Sequence, residues 1–74
     1  MKKLYNDIKT ILAENGINDA ILEYKENWYI SVNDAESIYM YIVEDNNTFN
    51  VLTNNEEYKN LSHKEVIQIL KAQL

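Results

Sequence analysis

The alternation of hydrophobic and polar positions is clearest between positions 37 and 43, where the sequence reads SIYMYIV. Aliphatic and aromatic side chains alternate there: Ile38, Met40 and Ile42 alternate with Tyr39 and Tyr41. This period of two is typical of a β-strand, and because both sets of side chains are large, we predict that the strand is central in a sheet. One face would pack on aliphatic residues, and the other would carry tyrosines, which combine an apolar ring with a polar hydroxyl group.

Two further stretches show the same period. Positions 28–32 place Trp28, Ile30 and Val32 inward and Tyr29 and Ser31 outward, and the strand predicted over Thr48–Thr53 places Phe49 and Val51 on the core side. Polar turns at positions 33–36 and 44–47 join these strands to the central one, and such short connections predict an antiparallel meander.

The segment 18–26 is open to two interpretations. Asp19 is a candidate N-cap for a short helix, whereas the run from Ile21 to Lys25 is equally compatible with an edge strand, which we favour. For positions 54–60 we expect a helical turn that lets Tyr58 reach the core.

Helical spacing is found at both ends of the chain. Leu4, Ile8, Ile11 and Leu12 predict a helix over about Lys3–Asn15, which Gly16 ends with Ile17 in the position of a Schellman contact. In the second helix Ser62 and Glu65 form a capping box, with Leu61 packing on Val66 as a hydrophobic staple. Its apolar face consists of Val66, Ile67, Ile69, Leu70 and Leu74.

The predicted fold is therefore a single α+β domain over residues 1–74. An N-terminal helix precedes a three- or four-stranded antiparallel meander, a C-terminal helix follows it, and both helices cover one face of the sheet. This order resembles that of double-stranded-RNA-binding domains, but the basic cluster that opens their last helix is replaced here by the sequence SHKEV at positions 62–66.

Composition narrows the functional classes. The 74 residues include no cysteine, which excludes disulfides and thiolate metal sites and fits a reducing, cytoplasmic location. Polar residues interrupt the N-terminal segment before it reaches the length of a signal peptide, and we expect no membrane association. The absence of arginine and the net charge of −5 argue against direct nucleic-acid binding. An excess of asparagine, lysine and tyrosine indicates AT-rich codons, as in a low-GC bacterium or its phages.

Catalytic and metal-binding patterns are weak. His63 is the only histidine, and it stands at the start of a helix, where an exposed structural role is the simpler interpretation. Its neighbour Ser62 is better explained as a cap than as a nucleophile. The segment from Glu44 to Thr48 lacks the glycine and terminal glutamate of a calcium loop. We therefore expect no enzymatic activity, no cofactor and no metal.

Charge is segregated along the chain. From Trp28 to Tyr58 the sequence has six acidic residues and no lysine: Asp34, Glu36, Glu44, Asp45, Glu56 and Glu57. In a meander the loops at 33–36 and 54–57 lie at one end of the sheet, so four of these carboxylates should share a rim, with Glu44 and Asp45 at the other end. Such a rim attracts basic partners and repels DNA, although carboxylates are also common in turns for solubility alone.

The tyrosines provide the second candidate surface. Tyr29, Tyr39 and Tyr41 should face solvent if both helices cover the opposite face, and exposed tyrosines are enriched at protein interfaces. Cross-strand stabilisation of the sheet is the alternative role.

The small size, the acidity and the order helix, meander, helix resemble the small acidic anti-CRISPR proteins of phages and similar anti-defence inhibitors. The resemblance covers the plan of the chain and no motif. It implies a non-enzymatic inhibitor whose carboxylates occupy a basic nucleic-acid groove of a Cas nuclease or another defence protein in the bacterial host cell. The alternative is a structural or adaptor domain that self-associates, as a homodimer, or binds a protein through its tyrosines.

Overall fold

Two helices flank five strands within residues 1–34 and 38–74, which the computed structural model describes. The elements are α1 (Lys2–Glu14), β1 (Ala20–Lys25), β2 (Asn27–Asp34), β3 (Ile38–Asp45), β4 (Thr48–Thr53), β5 (Glu57–Leu61) and α2 (His63–Gln73). The predicted α+β class and the antiparallel sheet are confirmed, with one strand more than the highest number expected. Across the described ranges, no helix has the length and apolar character needed to cross a membrane.

The sheet is a meander in which each strand pairs antiparallel with the next, in the order β1-β2-β3-β4-β5. Strand β3 is in the middle, as the SIYMYIV pattern predicts, although Ser37, Glu36 and Ala35 lie outside the described residues. Asp45 pairs with Thr48 across a tight turn in which Asn46 and Asn47 have φ values of 51° and 67°. Both central residues are left-handed, as in a type I′ hairpin, which asparagine tolerates.

Strand β1 resolves the ambiguity of segment 18–26. It pairs with β2 from Ala20↔Val32 to Lys25↔Asn27, so the strand interpretation is correct and the short helix capped by Asp19 is wrong. The tight connection at Glu26, with φ 63°, lets β1 and β2 form a hairpin in which the backbone groups facing one another are paired.

The segment before α2 departs from expectation. The helical turn predicted over positions 54–60 is wrong, because β5 begins at Glu57. The Thr53 amide donates to the Glu56 carbonyl (2.9 Å), and the Thr53 hydroxyl oxygen accepts from the Glu56 amide (3.1 Å). These bonds close a turn that sends the chain back along β4. Tyr58 is nevertheless half-buried and packs against the core.

Local signals fix the helix ends as predicted. The Ile17 amide donates to the Leu12 carbonyl (2.9 Å) and the Gly16 amide to the Ala13 carbonyl (3.0 Å), and Gly16 has φ 74°. This is the bonding of a Schellman motif, in which a left-handed residue favours glycine. At the start of α2, the Ser62 hydroxyl accepts from the Glu65 amide (3.2 Å) and the Glu65 carboxylate accepts from the Ser62 amide (3.0 Å).

The core joins both helices to the sheet. Its buried residues form one cluster: Leu4, Ile8, Leu12, Ile17, Ile30, Val32, Ile38, Met40, Ile42, Phe49, Val51, Val66 and Leu70. Ile11, Ile67 and Ile69 are partly buried against this cluster, whereas two other predicted members lie outside it. Trp28 is 44% exposed because it stands beside the hairpin turn and packs on Tyr24, with ring centroids 5.2 Å apart, and Leu74 is 45% exposed at the end of the chain described here.

Candidate functional site

The tyrosine face is the side of the sheet opposite the core residues, and it carries Tyr29, Tyr39 and Tyr41. Two cross-strand rows lie at its centre. One row consists of Ile21, Ser31, Tyr41 and Leu52, and the next consists of Glu23, Tyr29, Val43 and Asn50. Ile21 is 52% exposed and Leu52 is 41% exposed. Along the first row, Tyr41 therefore has an exposed aliphatic side chain on either side, Ile21 on β1 and Leu52 on β4, and Glu57 on β5 follows Leu52.

Tyr29 and Tyr41 lie in contact on this face. Their ring centroids are 5.1 Å apart, with the ring planes tilted by 36°. They are diagonal neighbours, because Tyr29 is opposite Val43 and Tyr41 is opposite Ser31. All three tyrosines are half-buried, so they are less exposed to solvent than the sequence predicts. Tyr29 and Tyr41 thus both stabilise the sheet and present an aromatic surface.

Glu23 fixes the position of Tyr29. The Tyr29 hydroxyl donates a hydrogen bond to Oε2 of Glu23 at 2.7 Å, across the directly paired positions of β1 and β2. This bond, together with burial and the charge of Glu23, raises the pKa of Tyr29 from 10.0 to about 12. A neutral phenol donates to the carboxylate, whereas a phenolate would be repelled by it.

This shift predicts a specific pH dependence. Unfolded chains lose the Tyr29 proton near pH 10.0, whereas the folded protein retains it to about pH 12, so the stability from this bond is lost as pH rises through that window. NMR titration of the tyrosine ring carbons should show late titration of the Tyr29 phenol. In Glu23→Gln its pKa should fall back toward the ordinary value, and an unchanged titration would contradict the role of Glu23.

The predicted rim of carboxylates is present in part. Asp34 ends β2 and Glu57 begins β5, and the registers place both at the same end of the sheet, with Glu56 beside them. Glu36 lies outside the described residues. Three strand spacings, roughly 14 Å in all, separate β2 from β5, so Asp34 is apart from the exposed pair Glu56 and Glu57.

Local partners moderate the charges at this end. Glu57 forms an ion pair with Lys59, with 3.6 Å between Oε1 and Nζ, and both side chains are more than 60% exposed. A hydrogen bond to Glu56 raises the pKa of Tyr58. We use the name acidic end for Asp34, Glu56 and Glu57.

Glu44 and Asp45 lie at the opposite end of the sheet, as the meander predicts. The Glu44 carboxylate forms an ion pair with the N-terminal ammonium group, with 3.5 Å between Oε2 and the nitrogen atom. Asp45 is exposed at the hairpin turn. Of the five candidate carboxylates that the structure describes, Asp34, Glu56 and Glu57 therefore lie at one end of the sheet and Glu44 and Asp45 at the other.

Sequence reasoning missed the contact between the helices. Nε2 of His63 is 2.8 Å from Oδ2 of Asp7, which links the start of α2 to α1. No sequence signal relates residues 56 positions apart, so this contact was not predictable from spacing. Within residues 1–34 and 38–74, no group of three or more histidine, aspartate and glutamate side chains is arranged to hold a metal ion.

The site thus belongs to an α+β protein with a half-buried aromatic pair on an open antiparallel sheet. Comparisons with protein-family models, with curated proteins and with solved structures each found no match.

Proposed function

We propose that this chain is a non-enzymatic protein-binding inhibitor of a nucleic-acid-binding defence protein, with a Cas nuclease as the first candidate. In this proposal it acts in the cytoplasm of a bacterial host, in the manner of a phage anti-CRISPR protein. The tyrosine face contacts the target, and carboxylates at the ends of the sheet occupy positions that nucleic-acid phosphates would take in a basic groove.

The observation that carries the proposal is the composition of the tyrosine face. Both helices contribute to the core cluster on the other side of β2, β3 and β4, which supports their lying on one face of the sheet. The aromatic pair, together with exposed Ile21 and Leu52, then offers a surface of the kind that is enriched at protein interfaces.

Charge supports a basic partner. The net charge is −5, and residues 28–58 contain six carboxylates without a lysine. Glu56, Glu57 and Asp45 are exposed, so their field extends into solvent and favours encounter with a positive groove. The same field repels nucleic acid itself.

The roles of the best nucleophile and base candidates support a non-enzymatic mode of action. The Ser62 hydroxyl is held as a helix cap, and Nε2 of His63 lies 2.8 Å from Oδ2 of Asp7 on α1. A nucleophile and its base need to be within hydrogen-bond reach of each other.

A cleavage assay with a panel of purified, guide-loaded Cas nucleases tests the proposal. We expect the chain to inhibit at least one of them without being consumed. Replacing Leu52 with serine should weaken inhibition by about tenfold or more, because an exposed apolar contact next to Tyr41 is lost. Leu74→Ser is the matched control, since Leu74 is 45% exposed and Leu52 is 41% exposed. It should inhibit as the unsubstituted chain does.

Two results would contradict the proposal. One is an absence of inhibition of every Cas nuclease in the panel and, in a separate assay, of uracil-DNA glycosylase, a DNA-binding enzyme that is not a nuclease. The other is equal loss of inhibition in Leu52→Ser and Leu74→Ser, which would remove the tyrosine face from the contact.

Self-association through the tyrosine face is the second candidate, favoured by the exposure of Ile21 and Leu52 on either side of Tyr41. Sedimentation equilibrium distinguishes it. If the face joins two copies, Leu52→Ser should give monomers at concentrations where the unsubstituted chain is dimeric.

A further inference from the structure

Strand β1 is an edge strand with an unusual degree of accessibility. Its six residues carry no proline and the register with β2 runs without interruption. Four of the six side chains are exposed. Native proteins usually blunt such edges because their unpaired backbone groups accept another strand.

The other edge strand, β5, has features that hinder pairing with a further strand. Its register with β4 shifts between Phe49 and Val51, and Asn60 is left-handed with φ 58°. The Asn60 amide donates to the Asn50 side chain at 3.0 Å. Strand β1, whose register is uninterrupted, is therefore the less protected of the two edges.

The alternating direction of backbone hydrogen bonds along a strand shows which amides and carbonyls of β1 point away from the sheet. The Asn33 amide donates to the Asp19 carbonyl at 3.4 Å, so Asp19 faces β2, and alternation along the register gives Ile21 and Glu23 the same direction. Ala20, Leu22 and Tyr24 therefore turn their amides and carbonyls away from β2. The Tyr5 hydroxyl donates to the Ala20 carbonyl at 3.3 Å, and a carbonyl has a second lone pair for another donor.

We propose that β1 pairs antiparallel with β1 of a second copy of this chain, with Leu22 opposite Leu22 of the copy. A two-fold axis normal to the sheet then relates the copies, as in an isologous dimer. The two sheets join into one continuous sheet, with both tyrosine faces on the same side. This inference stands independently of the proposed function.

Hydrogen bonding selects this register among its neighbours. Centred on Leu22, the pairing places Ala20 opposite Tyr24 of the copy, so all three outward-facing residues of each strand exchange backbone bonds. A register centred on Glu23 would oppose two glutamates and leave Ala20 opposite Glu26 of the copy. Like charges directly opposite one another destabilise a strand pair.

Side chains are complementary in the same register. Asp19 stands opposite Lys25 of the copy, and this opposition occurs twice because of the symmetry. On the core side, the large ring of Tyr24, 62% exposed, stands opposite the small Ala20. Leu22 meets its own copy, and it is only half-buried within one chain. The contact is smaller than a standard interface, so we expect a dimer with a Kd of about 10–100 μM.

Cysteine substitution tests the register directly, since the chain contains no cysteine. Directly opposed, hydrogen-bonded residues have Cα atoms about 5.5 Å apart, within the range that a disulfide spans. Leu22→Cys should therefore form a covalent dimer under mild oxidation. The control is Ile21→Cys. In the proposed register the Cα atoms of position 21 in the two copies would be roughly 8 Å apart, which is too far for a disulfide. Ile21 is 52% exposed, so random collision would favour the control.

A charge swap supplies a second test in case Leu22→Cys fails to fold. Asp19→Lys changes the net charge from −5 to −3, so general repulsion falls, yet it should raise the Kd at least about tenfold by opposing two lysines. Lys25→Asp should also weaken the dimer, and the double variant should restore it. Sedimentation equilibrium at chain concentrations up to roughly 1 mM gives the Kd of the unsubstituted chain, the two single variants and the double variant. A monomer throughout, equal crosslinking of both cysteine variants, or a double variant that stays weak would each overturn the proposal.

Discussion

Ile42→Ala is expected to lower the free energy of unfolding by about 2–5 kcal/mol. Ile42 is fully buried on the central strand, opposite Ile30 on one side and Val51 on the other. Removing its side chain leaves a cavity in the buried core cluster, to which residues of the sheet and of both helices belong. A domain of this size has little stability in reserve, so a measurable unfolded fraction should appear in water.

Tyr41→Ser, one residue away on the same strand, is the matched comparison. Tyr41 is half-buried on the tyrosine face and loses mainly its contact with Tyr29, so we expect a cost of about 1–2 kcal/mol. Urea denaturation, monitored by circular dichroism, measures the free energy of unfolding of both variants. A cost for Tyr41→Ser equal to that for Ile42→Ala would mean that the tyrosine face is a second core and not a surface for partners.

The double reversal Glu56→Lys and Glu57→Lys is expected to slow association with the target by about tenfold or more at low salt. It changes the net charge from −5 to −1 and places positive charge at the acidic end. Stability should change little, because exposed ion pairs such as Glu57 with Lys59 contribute little to folding. Association kinetics with an inhibited nuclease, measured over a range of salt concentrations, provide the test.

The control for this reversal is Glu14→Lys with Glu26→Lys. It produces the same net charge with exposed residues outside the acidic end, at the end of α1 and in the turn after β1. If both double variants slow association equally, only the total charge matters, and the acidic end has no particular role.

The sheet and its two faces were predictable because alternation is a local property of the sequence. Ile38, Met40 and Ile42 indicate a buried strand face without reference to any other segment, and the Asn46-Asn47 turn determines the register of β3 and β4. The capping box and the Schellman glycine are likewise local. These features are determined by residues within a few positions of one another.

Predictions failed where distant residues or element ends decide the outcome. Strand β5 has the pattern EYKNL, which shows little alternation, and its pairing depends on the turn that Thr53 closes. Trp28 has the correct parity for the core but stands beside a hairpin turn, where its ring packs on Tyr24. The Tyr29–Glu23 hydrogen bond depends on a register between two strands that the sequence pattern alone did not provide.

The most direct measurement of the central claim is displacement of fluorescently labelled DNA from a purified Cas nuclease by this chain, followed by anisotropy. For an inhibited nuclease, the account predicts complete displacement, with a midpoint that rises as salt is added and rises further for Glu56→Lys with Glu57→Lys. Anisotropy that stays at the value of bound DNA while cleavage is inhibited, or a midpoint insensitive to both salt and the reversals, would contradict it.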